Sequence, residues 1–199
     1  MRIGVFGGTF DPLHNGHLMI ALEVRHRLRL DRMLLVVAND PWQKADAEVT
    51  SAAIRFALVE GAVARLNRRL GHVALEASDI EIRRGGETYT ADTLAALHED
   101  DPDSELFLLV GSDAAAGLDS WKRTDEIRRG ATTVVVDRGG REGGRPPEGW
   151  DHVVVDVPLM EVSSSDLRAR IAEGAPVEAL IPPTVIDGIR HHGLYRRNP

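Results

Sequence analysis

The sequence predicts an α/β fold of the Rossmann-like, doubly wound type: a parallel sheet with helices on both faces and a small C-terminal helical segment. Three observations predict it. Strand-like apolar runs alternate with amphipathic helical patterns along most of the chain. Two later runs, "ELFLLVG" (105–111) and "ATTVVVD" (131–137), are continuously apolar, as strands covered on both faces are. The first strand also leads straight into a helix through a glycine turn, "GVFGGTFDPLHNGHLMIA" (4–21).

The elements follow in order. "RIGVF" (2–6) is a strand, a helix occupies about 15–29, and "MLLVVA" (33–38) is the second strand. A polar loop leads to a helix over about 51–69, followed by a strand at "HVALEA" (72–77). "TYTADTLAALHE" (88–99) has helical spacing, with Thr88 or Thr90 as its N-cap. Between the strands at 105–111 and 131–137, residues 112–129 read as one or two helices. "RGGREGGRPPEGW" (138–150) breaks the pattern, and its glycines and Pro146–Pro147 predict a flexible loop. A short strand "HVVVDV" (152–157), a capped helix over 163–174 closed by Gly174 and a last helix over about 183–192 complete the chain. The expected organisation is one domain over 1–199, with a catalytic α/β core at about 1–160 and a helical part at about 161–199.

Composition narrows the function. A chain of 199 residues buries a sizeable core without a disulfide or structural metal. It has no cysteine, which excludes Cys-ligated zinc and iron–sulfur chemistry and fits a reducing compartment. No run approaches the ~18 apolar residues of a membrane span, and the N-terminus enters strand pattern at once, so the expected location is the cytoplasm. The net charge of −7 argues against nucleic acid as a partner, whereas a small anion remains open through a local positive cluster. All basic residues but Lys44 and Lys122 are arginine.

The glycine turn then specifies chemistry. Gly7 and Gly8 are free to take positive φ and to let backbone N–H groups approach a ligand. The helix that follows offers free donors and a partial positive charge to an anion. No GxGxxG dinucleotide fingerprint and no GxxxxGK[ST] P-loop occurs in the chain. His14 and His17, three apart, share one face of the first helical turn, and Gly16 keeps that face open. Two imidazoles there can donate to phosphate oxygens that gain charge during transfer; the same spacing also serves packing or capping. A zinc site lacks a third ligand nearby, with only the distant His191–His192 to supply one.

"GGTFDPLHNGH" resembles the first signature of the nucleotidyltransferase superfamily, with His14, Asn15, Gly16 and His17 as its HxGH motif. "SSSDLRARI" (163–171) resembles the second, ISSTxxR-type signature, with Arg168 at the arginine and Val162 and Ser165 in place of Ile and Thr. Within the superfamily the chain is most similar to the bacterial nicotinate-nucleotide adenylyltransferase family. "TYTADTL" (88–94), "GSDAAAGLDSW" (111–121) and "GLYR" (193–196) resemble further motifs of that family. In place of its usual P-P-H-K the chain has "PWQK" (41–44), which keeps Lys44 and loses the histidine.

The resemblance implies AMP transfer from ATP to nicotinate mononucleotide, with Mg²⁺, giving nicotinate adenine dinucleotide and pyrophosphate. It implies catalytic roles for His14, His17 and Arg168. It puts Gly7, Gly8, Thr9, Phe10, Gly16, Asp113, Ser163, Ser164 and Ser165 around ATP. For the pyridine substrate it implies Lys44, Tyr89, Thr90, Gly111, Trp121 and Lys122. It assigns no metal-ligating residues, and the implied partners are these small molecules. Rival readings are a nicotinamide-preferring or dual-specificity enzyme, a phosphopantetheine adenylyltransferase, a nucleotide-binding module without turnover and, weakest, an NAD-dependent oxidoreductase.

Overall fold

The apolar runs become a six-stranded, wholly parallel sheet, and the runs at 2–8, 32–37, 105–111 and 132–138 are buried at their centres, as strands covered on both sides are. The computed structural model describes residues 1–40, 49–140 and 142–196. Strands β1 (Arg2–Gly8), β2 (Arg32–Val37), β3 (Glu76–Ser78), β4 (Glu105–Gly111), β5 (Thr132–Arg138) and β6 (His152–Val157) lie in the order 3-2-1-4-5-6. The order reverses between β1 and β4, which opens a crevice beyond their carboxyl ends.

One face is covered by α1 (Asn15–Arg27), α2 (Ala52–Leu70), α7 (Ser164–Ala172) and α8 (Pro183–His192). Leu167, Val185, Ile186 and Ile189 join the same cluster as Val24, Met33 and Leu58, so the residues after 160 share the core of that face. At the α2–α8 crossing, a Cβ on Gly188 would lie 2.1 Å from Leu58 Cδ2, so glycine sets how closely the helices meet. The other face is covered by α3 (Ile80–Arg84), α4 (Thr90–Asp100) and α6 (Thr124–Gly130), with α5 (Ser112–Ala115) following β4. Among the described residues no helix is long and apolar enough to cross a membrane.

Four local expectations need correction. The strand expected at 72–77 starts only at Glu76, because Asn67 satisfies the preceding backbone instead: its side chain bonds the N–H groups of Ala74 and Leu75 and the carbonyl of Leu75. The helix expected to 29 ends at Arg27, and Arg29 turns the chain with φ 51°. Neither Thr88 nor Thr90 caps α4; Tyr89 does, and the Thr88 hydroxyl accepts the N–H groups of Asn39 and Asp40. The loop over 138–150 is irregular but tethered. Arg145 makes a two-pronged ion pair to buried Asp137, which also accepts the Gly143 N–H, and Trp150 is buried against the sheet. Residues 112–129 form the short α5, one 3-10 turn at Leu118–Ser120 and most of α6.

Candidate active site

Gly7 and Gly8 end β1 at the point where the sheet order reverses, and both line two adjacent cavities. Neither glycine has positive φ, contrary to the sequence expectation; that conformation falls instead on Phe10, at φ 48°. The two glycines differ in what they allow. A Cβ on Gly8 would meet the Phe10 ring at 2.8 Å, whereas one on Gly7 would meet nothing within 4 Å. The missing side chain at Gly7 therefore leaves open space where the two cavities join.

The larger cavity, about 350 Å³, contains the histidine pair. His14 is the N-cap of α1, in extended backbone, rather than part of its first turn. The two imidazoles nonetheless stack, with centroids 3.6 Å apart and planes 21° apart. The His14 N–H donates to His17 Nδ1 at 3.2 Å, so a neutral His17 ring carries its proton on Nε2. His14 is 5% exposed and its Nδ1 has no hydrogen-bond partner among the described residues, a buried polar atom awaiting one. Burial, with a smaller contribution from Arg138, lowers its pKa to about 4, so the ring is neutral at physiological pH. Phe10 holds the pair from the side, edge-to-face with His17 at 5.0 Å.

Gly16 is not an open window: a Cβ there would press on Val162 at 2.9 Å and on His14, so glycine lets α1 close against the residue before α7. Ser163 caps α7 by accepting the Asp166 N–H, Ser164 donates to the Pro12 carbonyl, and Ser163 and Ser164 both line the cavity. Asp113, in α5, and Arg138, at the end of β5, also line it.

The smaller cavity, about 160 Å³, lies between β1, β2 and β4 and is lined by Thr9, Glu81, Thr88, Thr90 and Trp121 among others. Glu81 is buried and accepts from the Thr93 hydroxyl at 2.6 Å; burial raises its pKa.

Not every expected residue faces these cavities. Arg168 donates from Nη1 to the Asp11 carbonyl at 2.8 Å and from Nη2 to Ser165 at 3.3 Å, and it lines a neighbouring cleft with Thr50, Ser51 and Arg196. Tyr89 bonds Glu87, and Lys122 is exposed beside Trp121. Neither they nor Gly111 or Ser165 line either cavity, although Arg138 Nη2 lies 4.0 Å from where a Gly111 Cβ would stand. Lys44 lies outside the described residues.

Four residues that sequence reasoning missed belong to the site: Arg55 and Asp11 tie its parts together, and Glu81 and Arg138 line its cavities. Arg55, 1% exposed, donates to the carbonyls of Thr50, Thr9 and Asn39, joining α2, the phosphate turn and the end of β2. Its signal was available: it shares the buried stripe of α2 with Leu58, Val59, Ala62 and Val63. Asp11, Glu81 and Arg138 carried no such periodic signal.

Residues 5–170 match the model of the cytidylyltransferase-like family. A protein of Corynebacterium kroppenstedtii named "Probable nicotinate-nucleotide adenylyltransferase" is 40% identical over 197 residues, covering 98% of this chain and 90% of its own. One of the same name from Clavibacter michiganensis is 41% identical over 199 residues, covering 98% and 94%. Among solved structures, the nicotinic acid mononucleotide adenylyltransferase of Plasmodium falciparum, complexed with NaAD, superimposes with a TM-score of 0.76. It is 19% identical, with 98% of this chain and 97% of that one covered, so it speaks for the fold.

Proposed function

The chain belongs to the nicotinate-nucleotide adenylyltransferase family of cytidylyltransferase-like proteins, and we propose that its two cavities divide the family's reaction between them. It transfers AMP from ATP to nicotinate mononucleotide, giving nicotinate adenine dinucleotide and pyrophosphate. The carrying observation is that both cavities open on Gly7 and Gly8, at the crevice where the strand order reverses.

In this reading the larger cavity takes ATP. His17, its Nδ1 occupied by the His14 N–H, donates from Nε2 to an α-phosphate oxygen. His14, neutral, offers its unpartnered Nδ1. Gly8, Thr9 and Phe10 supply the phosphate turn, and Ser163–Ser165 the facing helix start. Asp113 accepts from a ribose hydroxyl, and Arg138 lays its planar cation along the nucleoside end. Arg168 meets the β- and γ-phosphates from the side of the adjoining cleft.

The smaller cavity takes the pyridine, with Trp121 stacked on the ring and Thr90 with backbone N–H groups near Tyr89 and Lys122 donating to its carboxylate. An oxygen of the substrate 5′-phosphate attacks the α-phosphorus as the bond to the bridging oxygen breaks and pyrophosphate leaves. No enzyme nucleophile is needed, so positioning and charge stabilisation carry the rate.

Mg²⁺ fits this donor set as a passenger of ATP. Among the described residues no three acidic or imidazole groups cluster as a cage, and Mg²⁺ is commonly held by substrate phosphates and water. When bound, it neutralises phosphate charge. We place the reaction in the cytoplasm on the cysteine-free composition.

Glu81 favours a second, weaker activity. The Glu81 carboxyl on the pyridine cavity offers an acceptor to an amide NH₂, a donor that nicotinamide has and nicotinate lacks. The test is pyrophosphate release with Mg-ATP and nicotinate mononucleotide, nicotinamide mononucleotide or phosphopantetheine. We expect the first to lead, the second to be slow and the third to be inert, with His17→Ala losing on the order of 10²–10³ in rate. Preference for phosphopantetheine, or unchanged turnover in His17→Ala, overturns the reading.

A further inference from the structure

The chain's last described residues return to the phosphate turn. α8 ends at Gly193, with φ 63°, and Leu194 donates its N–H to the Ile189 carbonyl, so the chain doubles back. Tyr195 then adopts φ 61°, a left-handed conformation that a non-glycine residue holds only when its surroundings compel it. What compels it is 184 positions away in sequence. The Tyr195 hydroxyl donates to Asp11 Oδ1 at 2.5 Å and accepts from the Thr50 hydroxyl at 3.4 Å.

Asp11 joins these parts. It is 2% exposed, inside the turn that carries Phe10 and leads to His14. Its other carboxylate oxygen accepts the Thr50 N–H at 3.3 Å, just before α2, and its backbone carbonyl accepts Arg168 Nη1 at 2.8 Å. The carbonyls of Thr9, Asp11 and Pro12 accept from Arg55, Arg168 and Ser164. Tyr195 is the one donor to this turn that comes from beyond α8 among the described residues. Burial, reinforced by the hydrogen bond to Asp11, raises the phenol's pKa, so it stays a donor at any working pH.

We propose that Tyr195 is a positioning residue for nucleotidyl transfer: its hydroxyl fixes the Asp11 carboxylate, and through the Asp11 peptide it fixes both the phosphate turn and the Arg168 guanidinium. Its hydroxyl is engaged by Asp11 and Thr50, so it acts through them. The inference rests on the reading of the turn and Arg168 as the phosphate-binding part of an AMP transferase. It gives the "GLYR" ending a task in the reaction rather than a place in the core alone.

The test uses the full-length protein and Tyr195→Phe, which keeps the ring and removes only the hydroxyl. Initial rates of pyrophosphate release are measured while ATP and nicotinate mononucleotide are varied separately, well below the melting temperature. A slightly misplaced phosphate turn predicts a kcat lowered about ten- to a hundredfold, with KM for nicotinate mononucleotide within twofold of the starting protein. Acting in part through Arg168 also predicts losses that are less than additive: Tyr195→Phe slows the Arg168→Ala protein by a smaller factor than it slows the starting protein. A purely structural role would lower the melting temperature and leave kcat at low temperature unchanged. A kcat within twofold of the starting protein, or additive losses, overturns the inference while the functional reading stands. No turnover by the unmodified protein on any pyridine mononucleotide overturns the functional reading, and the inference with it.

Discussion

Lowering the pH should destabilise this fold through one imidazole. His14 has its pKa lowered from the ordinary 6.5 to about 4, first by burial and then by the charge of Arg138. Between those values the unfolded chain binds a proton at His14 that the folded protein does not. Unfolding is therefore favoured as pH falls: stability is complete above about 6.5 and lost progressively down to about 4. At about 1.4 kcal/mol per pH unit, the interval from 6.5 to about 4 corresponds to about 3 kcal/mol, a large share of the total for a chain of this size. Carboxylates titrate in the same range, so the assay has to isolate the ring. Urea denaturation midpoints of the unmodified protein and of His14→Asn, which retains a capping side chain, would be compared at several pH values from 7.5 to 4. We expect the difference between the two to move by about 3 kcal/mol over that range, with the unmodified protein losing ground as acid is added. Arg138→Ala should soften the same slope. A difference that stays flat would refute the reasoning, because it would mean that His14 accepts a proton in the folded state without cost.

Three further outcomes are expected. Gly7→Leu should raise KM for both substrates about tenfold or more while leaving the melting temperature nearly unchanged, because its side chain enters open space; steady-state kinetics beside thermal melts separate this from Gly8→Ala, which should destabilise by about 1–3 kcal/mol through the Phe10 ring. Arg55→Met should cost about 3 kcal/mol or more in denaturant midpoints, since it leaves the carbonyls of Thr9, Asn39 and Thr50 without their donor. Trp121→Ala should raise KM for nicotinate mononucleotide several-fold, in line with about 1 kcal/mol for a lost stacking partner, with KM for ATP little changed in the same assay.

The histidine pair and the serine cap were legible in the sequence because their members are close together in it, whereas Glu81 and Arg138, which also line the cavities, were not. His14 and His17 stack because three residues separate them, and Ser163 caps α7 because it precedes a helical run with Asp166 three positions on. The parallel sheet was legible too, since continuous apolar runs such as 105–111 have few other uses. What escaped was what depends on distant partners. Asn67 replaces β-pairing at 74–75, Asp137 and Arg145 tether a segment that composition marks as flexible, and Tyr195 closes on Asp11. None of these pairings has a local pattern, because each member alone reads as an ordinary polar residue.

The phosphate turn shows why such distant contacts are needed. Phe10 sits at φ 48°, a conformation that costs an ordinary residue on the order of 1–2 kcal/mol. Full burial of a phenylalanine ring is worth about 1.5–3 kcal/mol, so the seat that leaves Phe10 2% exposed offsets that cost by a narrow margin. The seat is made by Gly8, which gives up its Cβ, by Phe6 edge-on at 5.7 Å, and by His17 at 5.0 Å. The strained residue and the imidazole proposed to meet the α-phosphate thus fix each other. A turn balanced this closely has little stability of its own to spare. Its carbonyls are accordingly held from α2 and α7 by Arg55, Arg168 and Ser164, and its carboxylate by the tail, so that strain beside the phosphate site is sustained by contacts made well away from it.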